Sequence, residues 1–431
     1  MAGGPERLID RLRQKMPIGA LISVGGVYSG VVLNFALNLL IARELGAGEY
    51  GLIALGLSVV TLLGVAAQFG FSQGCARFIG TYLARDQHSE LRGFLNFAQA
   101  VPVVVGLGVA VIGIPVVLGF LEPGGRREVI VVALAGVPLY GALLLAQNAA
   151  RGFGNMLLAT LPVFVFLPSA ALAALYALTP PDAAGFMLLY VGIIAVLAVA
   201  TVLAVHWRVR KEHLRANQAR YPIGEWFTVT RPMLLTAFGQ QYLRRVDVIL
   251  LAFFVTPEFL GMYALGARFA QVVGVTRFSV NRFWMPRVAR RYAAGDMDGL
   301  KGELGTAARV VFWTTLAVTG GLIFLGPYLI NFAGFGGGLA YQVMLVLLVG
   351  QVAAAYYSPA VQTLQMCGHE RVANRLVLLS GLLVTVGVAG AGAFGGAIGA
   401  AGSVALVTAF QFWLAGRRVG QLVGIRCGAF D

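Results

Sequence analysis

Long apolar runs separated by short polar stretches dominate this chain. About 20 apolar residues is the length at which a helix crosses a bilayer. Twelve runs qualify: 17–42, 52–74, 93–120, 129–150, 156–178 and 183–206, then 233–255, 259–281, 308–331, 339–365, 372–393 and 396–415. Lipid offers no partner to a backbone amide, so each run is read as a helix. None alternates in the roughly ten-residue pattern of barrel strands. The expected fold is an all-α membrane protein with about twelve transmembrane helices. Arg7, Arg11, Arg13 and Lys15 precede the first run, which is too long for the apolar core of a cleaved signal peptide and is read as a retained helix.

Composition supports this reading and charge position refines it. The 431 residues are 58% hydrophobic and 12% charged, against about 25% charged in a soluble domain. A net charge of +14 would suit a nucleic-acid binder if the chain were soluble. With a cytoplasmic N-terminus, however, the termini and even-numbered connections hold 25 of the 32 basic residues, and the opposite face only Arg43, Arg126 and Arg127. That asymmetry is the positive-inside pattern. Both termini are therefore expected in the cytoplasm, the basic residues meet anionic headgroups, and nucleic acid is not an expected partner.

The basic stretch from Arg208 to Arg231 is the longest polar connection. It divides the chain into an expected six-helix bundle at 1–207, a cytoplasmic linker at 208–232 and a second six-helix bundle at 233–431. An ungapped shift of 210 residues aligns 51–98 with 261–308 at eleven identities in 48 positions. They include Gly51/Gly261, Arg77/Arg287, Tyr82/Tyr292, Ala84/Ala294 and Asp86/Asp296. Six helices per repeat give both halves the same orientation, with pseudo-symmetry about the membrane normal as in transporters built from parallel repeats.

Four basic residues lie inside predicted helices: Arg244, Arg245, Arg268 and Arg277. An ionised group at the bilayer centre costs about 2.5–3.5 kcal/mol even on a lenient scale, so such groups face protein or water. At 100° per residue Gln240, Arg244 and Asp247 share a helix face, with Gln241 and Arg245 beside it. An Arg244–Asp247 ion pair would account for part of this cluster structurally. One carboxylate cannot neutralise three mid-membrane arginines, and the remaining cations suit an anionic ligand such as a phosphate. Arg277 is close enough to the cytoplasmic end to snorkel.

The first half offers weaker candidates in Asn34 and Gln68, whose neighbours Asn38 and Gln73 share the role of helix-packing amides, and in Arg43. Arg77 and Arg287 read as interface anchors. Cys75, Cys367 and Cys427 lack metal-site spacing, as do the four histidines. The run Gly334 to Gly338 reads as a loop, and the glycines from Gly390 to Gly396 suit close helix packing, since no strand or P-loop lysine accompanies them. No catalytic triad, metal cluster or nucleotide-binding domain can be assembled, so no enzyme and no cofactor are expected; a coupling ion, H+ or Na+, is left open.

Ala42-Arg43-Glu44-Leu45-Gly46-Ala47-Gly48-Glu49-Tyr50-Gly51, joining the first two segments, resembles the opening signature of bacterial polysaccharide and O-antigen flippases. Those are lipid-linked oligosaccharide flippases of the multidrug/oligosaccharidyl-lipid/polysaccharide exporter superfamily. Arg77, Asp247, Gly261-Met262-Tyr263-Ala264, Met285-Pro286 and the stretch Phe394 to Gly402 are similar too. The resemblance implies two six-helix bundles around a central cavity, working by alternating access in the bacterial inner membrane. It implies a polyprenyl-diphosphate-linked oligosaccharide as substrate, with cavity arginines receiving the diphosphate. By position Arg244, Arg245 and Arg268 are the candidates, with Asp247, Gln240 and Gln241 beside them. Membrane lipids and polysaccharide polymerase machinery are the other implied partners of a monomeric chain.

Four other readings compete. A drug or cation exporter of the same superfamily needs an intramembrane acid, for which only Asp247 qualifies. A peptidoglycan-precursor flippase carries two extra helices and basic residues early in its first two. A major-facilitator transporter needs a turn that Ala84-Arg85-Asp86-Gln87-His88 does not match. A membrane glycosyltransferase or polymerase needs large outer loops, and all of these are short.

Overall fold

A computed structural model describes residues 18–212, 218–336, 338–425 and 427–430. Among them every regular element is helical: α1 (Ile18–Ala67), α2 (Phe71–Ala84), α3 (His88–Phe120), α4 (Gly125–Gly152), α5 (Met156–Leu161), a π-turn (Pro162–Phe166), α6 (Leu167–Leu178) and α7 (Ala183–Glu212). They continue with α8 (Ile223–Leu243), α9 (Val246–Leu251), α10 (Pro257–Ala293), α11 (Met297–Phe332), α12 (Leu339–Tyr356), α13 (Ala360–Met366) and α14 (Glu370–Leu422). Among the described residues eight stretches are long and apolar enough to cross a membrane, and the chain is a multi-pass membrane protein.

Among the described residues the helices, divided at their breaks, are compatible with twelve passes. Two are double passes, each folded at one glycine with a backbone that side chains resist: Gly46 in α1 at φ 81° and Gly396 in α14 at φ 56°. The expected loop at 43–51 is thus helical on both sides of Gly46. Conversely, the second predicted segment breaks early, at Phe69 and Gly70, both left-handed. Gly70 is required there, because a Cβ would meet the Thr230 carbonyl. The longer helices run past the membrane-length windows into the basic connections.

Residues group into two compact units. One takes the chain through Asn38 and then Val59–Phe238; the other takes Leu39–Ser58 and Gly239–Asp431. In the first, α4 packs against α3 and α7, with Gly106 opposite Pro138 and Gly141 opposite Pro102 where a larger residue would not fit. An aromatic cluster of Phe71, Phe78, Tyr82, Phe94, Phe97, Trp226 and Phe227 closes one end. Trp226 is fully buried there and donates from Nε1 to the Tyr82 hydroxyl at 2.8 Å. This anchor explains why α8 begins at Ile223, inside the stretch expected to be linker. The linker residues Arg215, His213 and their neighbours from 213 to 217 lie outside the described residues.

The second unit is built on α10, α11, α12 and α14. Gly350 of α12 lies against the backbone of Ala405 in α14, the close approach that small residues permit between membrane helices. The C-terminal residues fold back onto it: the Ala429 amide donates to the Tyr356 carbonyl at 3.1 Å, and the Phe430 ring meets Phe312 at 5.4 Å.

Candidate functional site

Two long helices are missing from the eight membrane-apolar stretches: α8 and α10. They carry, or lead directly into, the intramembrane arginines. The helix that was expected to run unbroken through 233–255 stops at Leu243 and restarts at Val246. Across the break the amides of Arg244 and Arg245 donate to the carbonyls of Gln241 and Tyr242 at 3.1 and 3.0 Å. Tyr242 holds one side of the break, its hydroxyl 2.7 Å from Thr385 Oγ1 of α14.

The break overturns the expected common face of Gln240, Arg244 and Asp247. An uninterrupted 100° rotation per residue no longer applies beyond Leu243. Gln240 and Arg244 are exposed and Gln241 half-buried, whereas Asp247 is buried. The Arg244–Asp247 ion pair does not form. Asp247 instead accepts from the Tyr263 hydroxyl of α10 through Oδ2 at 2.8 Å, and its Oδ1 is buried without a hydrogen bond.

Around this carboxylate the second unit gathers cations. Arg245 and Arg268 both lie near enough to act electrostatically on Asp247 and on Tyr50. The guanidinium of Arg268 is half-buried, reaches Gln271 Oε1 at 3.3 Å and is within hydrogen-bonding reach of the Tyr50 hydroxyl. Arg244 stands close to Arg277, whose guanidinium covers the Phe412 ring at 4.5 Å, a cation–π contact that compensates a charge removed from water. Between Gln240 and Arg277 there are four arginines, against Asp247 and, in the first turn of α10, Glu258. Arg245, Arg268 and Asp247 therefore share one neighbourhood, while Arg244, in the same unit, stands beside Arg277.

The weaker candidates stand apart. Arg43 is exposed, its guanidinium 4.3 Å from the Phe332 ring. Gln68 spends its Nε2 on the Gly64 carbonyl at 3.0 Å, four residues back on its own helix. Asn34 is exposed, and its carbonyl accepts from Asn38 Nδ2 at 2.6 Å. Both of these amide contacts run four residues back along the same helix. Among the described residues no group of three His, Cys, Asp or Glu side chains could hold a metal ion.

Sequence reasoning overlooked two site residues, Tyr50 and Tyr263. Both are fully buried, and a buried tyrosine hydroxyl usually seeks a polar partner. Their place within Glu49-Tyr50-Gly51 and Gly261-Met262-Tyr263-Ala264, the stretches that carried the resemblance, was the available signal.

Long, kinked membrane helices grouped in two units are the frame for comparison with known folds. Among solved structures the fold is similar to an inward-facing multidrug-resistance MATE-family transporter of the MOP superfamily, at 12% identity over 92% of this chain and 96% of that one, with a TM-score of 0.75. It is also similar to the lipid II flippase MurJ in an inward closed conformation, at 12% identity, 93% and 87% coverage and a TM-score of 0.71. A third is a MOP-superfamily transporter from Pyrococcus furiosus, described as having a binding pocket of reversed polarity, at 13% identity, 92% and 93% coverage and a TM-score of 0.56. These likenesses establish the MOP-transporter fold. Residues 19–290 match the family model for polysaccharide biosynthesis proteins, and the chain belongs to that family. No curated protein sequence matches it.

Proposed function

We propose that this protein is a flippase moving a polyprenyl-diphosphate-linked oligosaccharide from the cytoplasmic to the outer leaflet of the bacterial inner membrane by alternating access. It supplies a surface polysaccharide such as an O-antigen and catalyses no covalent reaction. One observation carries the reading: Arg245 and Arg268 lie within electrostatic reach of a single carboxylate, Asp247, and Arg244 of the same unit adds a further cation beside Arg245. A diphosphate brings the negative charge that this cluster lacks. Guanidinium groups hold such oxygens through paired, charge-assisted hydrogen bonds. A cation exporter would need the opposite balance, and here the acid is already engaged by Tyr263. On the same reading both termini are cytoplasmic, the chain works as a monomer, and polymerase machinery receives the exported repeat.

The test is the triple variant Arg244→Ala, Arg245→Ala, Arg268→Ala in cells that depend on this protein for surface polysaccharide. Three charge-assisted contacts, each contributing about 1.5–3 kcal/mol, predict more than a hundredfold loss of export at unchanged membrane abundance. Normal export by the triple variant would refute the anion site.

A further inference from the structure

The repeat seen in the sequence reappears as a physical contact. The backbone at Gly51 in α1 lies so close to α10 that a Cβ there would meet the Pro257 carbonyl and the Gly261 nitrogen. A Cβ on Gly261 would meet the Ala47 carbonyl and, at 3.2 Å, the Gly51 nitrogen. Residues 47 and 51 correspond to 257 and 261 under the 210-residue shift. The contact is therefore reciprocal, each strip meeting its own repeat partner as in a two-fold interface. Gly48 follows the rule as well: a Cβ there would lie 3.2 Å from Oε1 of Glu258, its own equivalent.

Tyr50 sits one residue before this crossing. It is fully buried, its ring is edge-on to Phe335 at 6.1 Å, and its hydroxyl lies within reach of the Arg268 guanidinium. Arg268 is seven residues beyond Gly261 on α10, about 10 Å along the helix axis. One arginine thus touches both the carboxylate neighbourhood and the segment that makes the crossing.

We propose that Tyr50 and Arg268 form a latch tying occupancy of the anion site to release of the Gly51–Gly261 crossing, which serves as the outer gate. The proposal rests on Arg268 being a diphosphate ligand. A diphosphate takes guanidinium N–H donors more strongly than a phenol oxygen does. Its arrival draws Arg268 from Tyr50 and removes a contact that favours the closed crossing. Reciprocity follows: closing the crossing returns Tyr50 to Arg268 and weakens anion binding, so release and reclosure are linked. Backbone-to-backbone contact leaves no compressible side chain between the strips, so the crossing is either made or parted. Tyr50 is here a positioning residue acting through Arg268.

The experiment places cysteines at Gly48→Cys and Glu258→Cys in the full chain in nanodiscs. It follows copper-phenanthroline disulfide formation with and without farnesyl diphosphate, a short polyprenyl diphosphate, and with farnesol as control. Loss of a charge-assisted hydrogen bond predicts about tenfold slower cross-linking with the diphosphate, no change with farnesol, and less than about twofold slowing in Tyr50→Phe. Farnesyl diphosphate that binds without slowing the reaction, slows it equally in Tyr50→Phe, or is matched by farnesol overturns the latch alone. Failure to bind, or binding indifferent to Arg268→Ala, removes the anion site beneath it. Should the double variant not accumulate, alkylation of Gly48→Cys alone by a water-soluble maleimide must rise about tenfold with the diphosphate; an unchanged rate overturns the latch equally.

Discussion

Replacing Tyr263 with Phe isolates the hydrogen bond that Asp247 relies on. The perturbation removes one oxygen and leaves the ring in a fully buried position. Asp247 Oδ2 then loses a donor at 2.8 Å, while Oδ1 already has none. Hydrogen bonds to charged groups contribute about 1.5–3 kcal/mol, and burial of an unsatisfied acceptor places the cost toward the upper end. A loss of about 2–3 kcal/mol is expected. Thermal midpoints move about 2–4 °C per kcal/mol in domains of 150–250 residues and less in longer chains. In detergent the midpoint should therefore fall by about 4 °C. Asp247→Asn keeps an acceptor for the tyrosine and should fall less than Asp247→Ala. The double variant Tyr263→Phe, Asp247→Asn should show a coupling of at least about 1 kcal/mol, since the two single changes disrupt one interaction. Strictly additive effects, or a Tyr263→Phe midpoint within about 1 °C of the parent, would refute this account of the pair.

Two further outcomes are expected. Gly93→Ala puts a Cβ against the Arg220 carbonyl, backbone that cannot swing aside, so it should destabilise by about 1–3 kcal/mol and lower the thermal midpoint, whereas Gly80→Ala, with open space around it, should not. The Asp296 carboxyl between α10 and α11 is held below its ordinary range by the Gly299 amide and by Arg291. A depressed folded value means that its contribution is complete above the ordinary carboxylate range and disappears as pH falls through the folded value. Gly299 amide protection, corrected for intrinsic exchange, should accordingly hold at neutral pH and be lost only in acid; loss near pH 6 would contradict the assignment.

Much of the architecture was legible because lipid imposes a simple length rule. Runs such as 183–206 and 308–331 sit inside helices α7 and α11, and α8 and α10 stood out by their polarity. What the rule missed was local geometry within helices. Arg244 and Arg245 sit where an apolar window sees only a helix, yet the chain turns there and sends Asp247 toward Tyr263. A helical wheel assumes continuity and cannot report its own failure. The single-glycine break at Gly46 was hidden similarly, since a loop was assumed over 43–51, whereas the break at Gly396 coincides with the expected boundary between 372–393 and 396–415. The start of α8 at Ile223 depends on Trp226 meeting Tyr82, a contact between residues 144 positions apart that periodicity cannot anticipate. The arginine cluster itself was readable because charge in hydrocarbon is costly wherever the chain places it.

Gly46 and Gly396 each break a long helix without an intervening loop. Breaks this tight leave no loop for a protease to cut or an antibody to grasp. A tag or reporter inserted at either glycine would have to unravel helix on both sides before reaching water. Topology mapping of this protein should therefore place its reporters elsewhere.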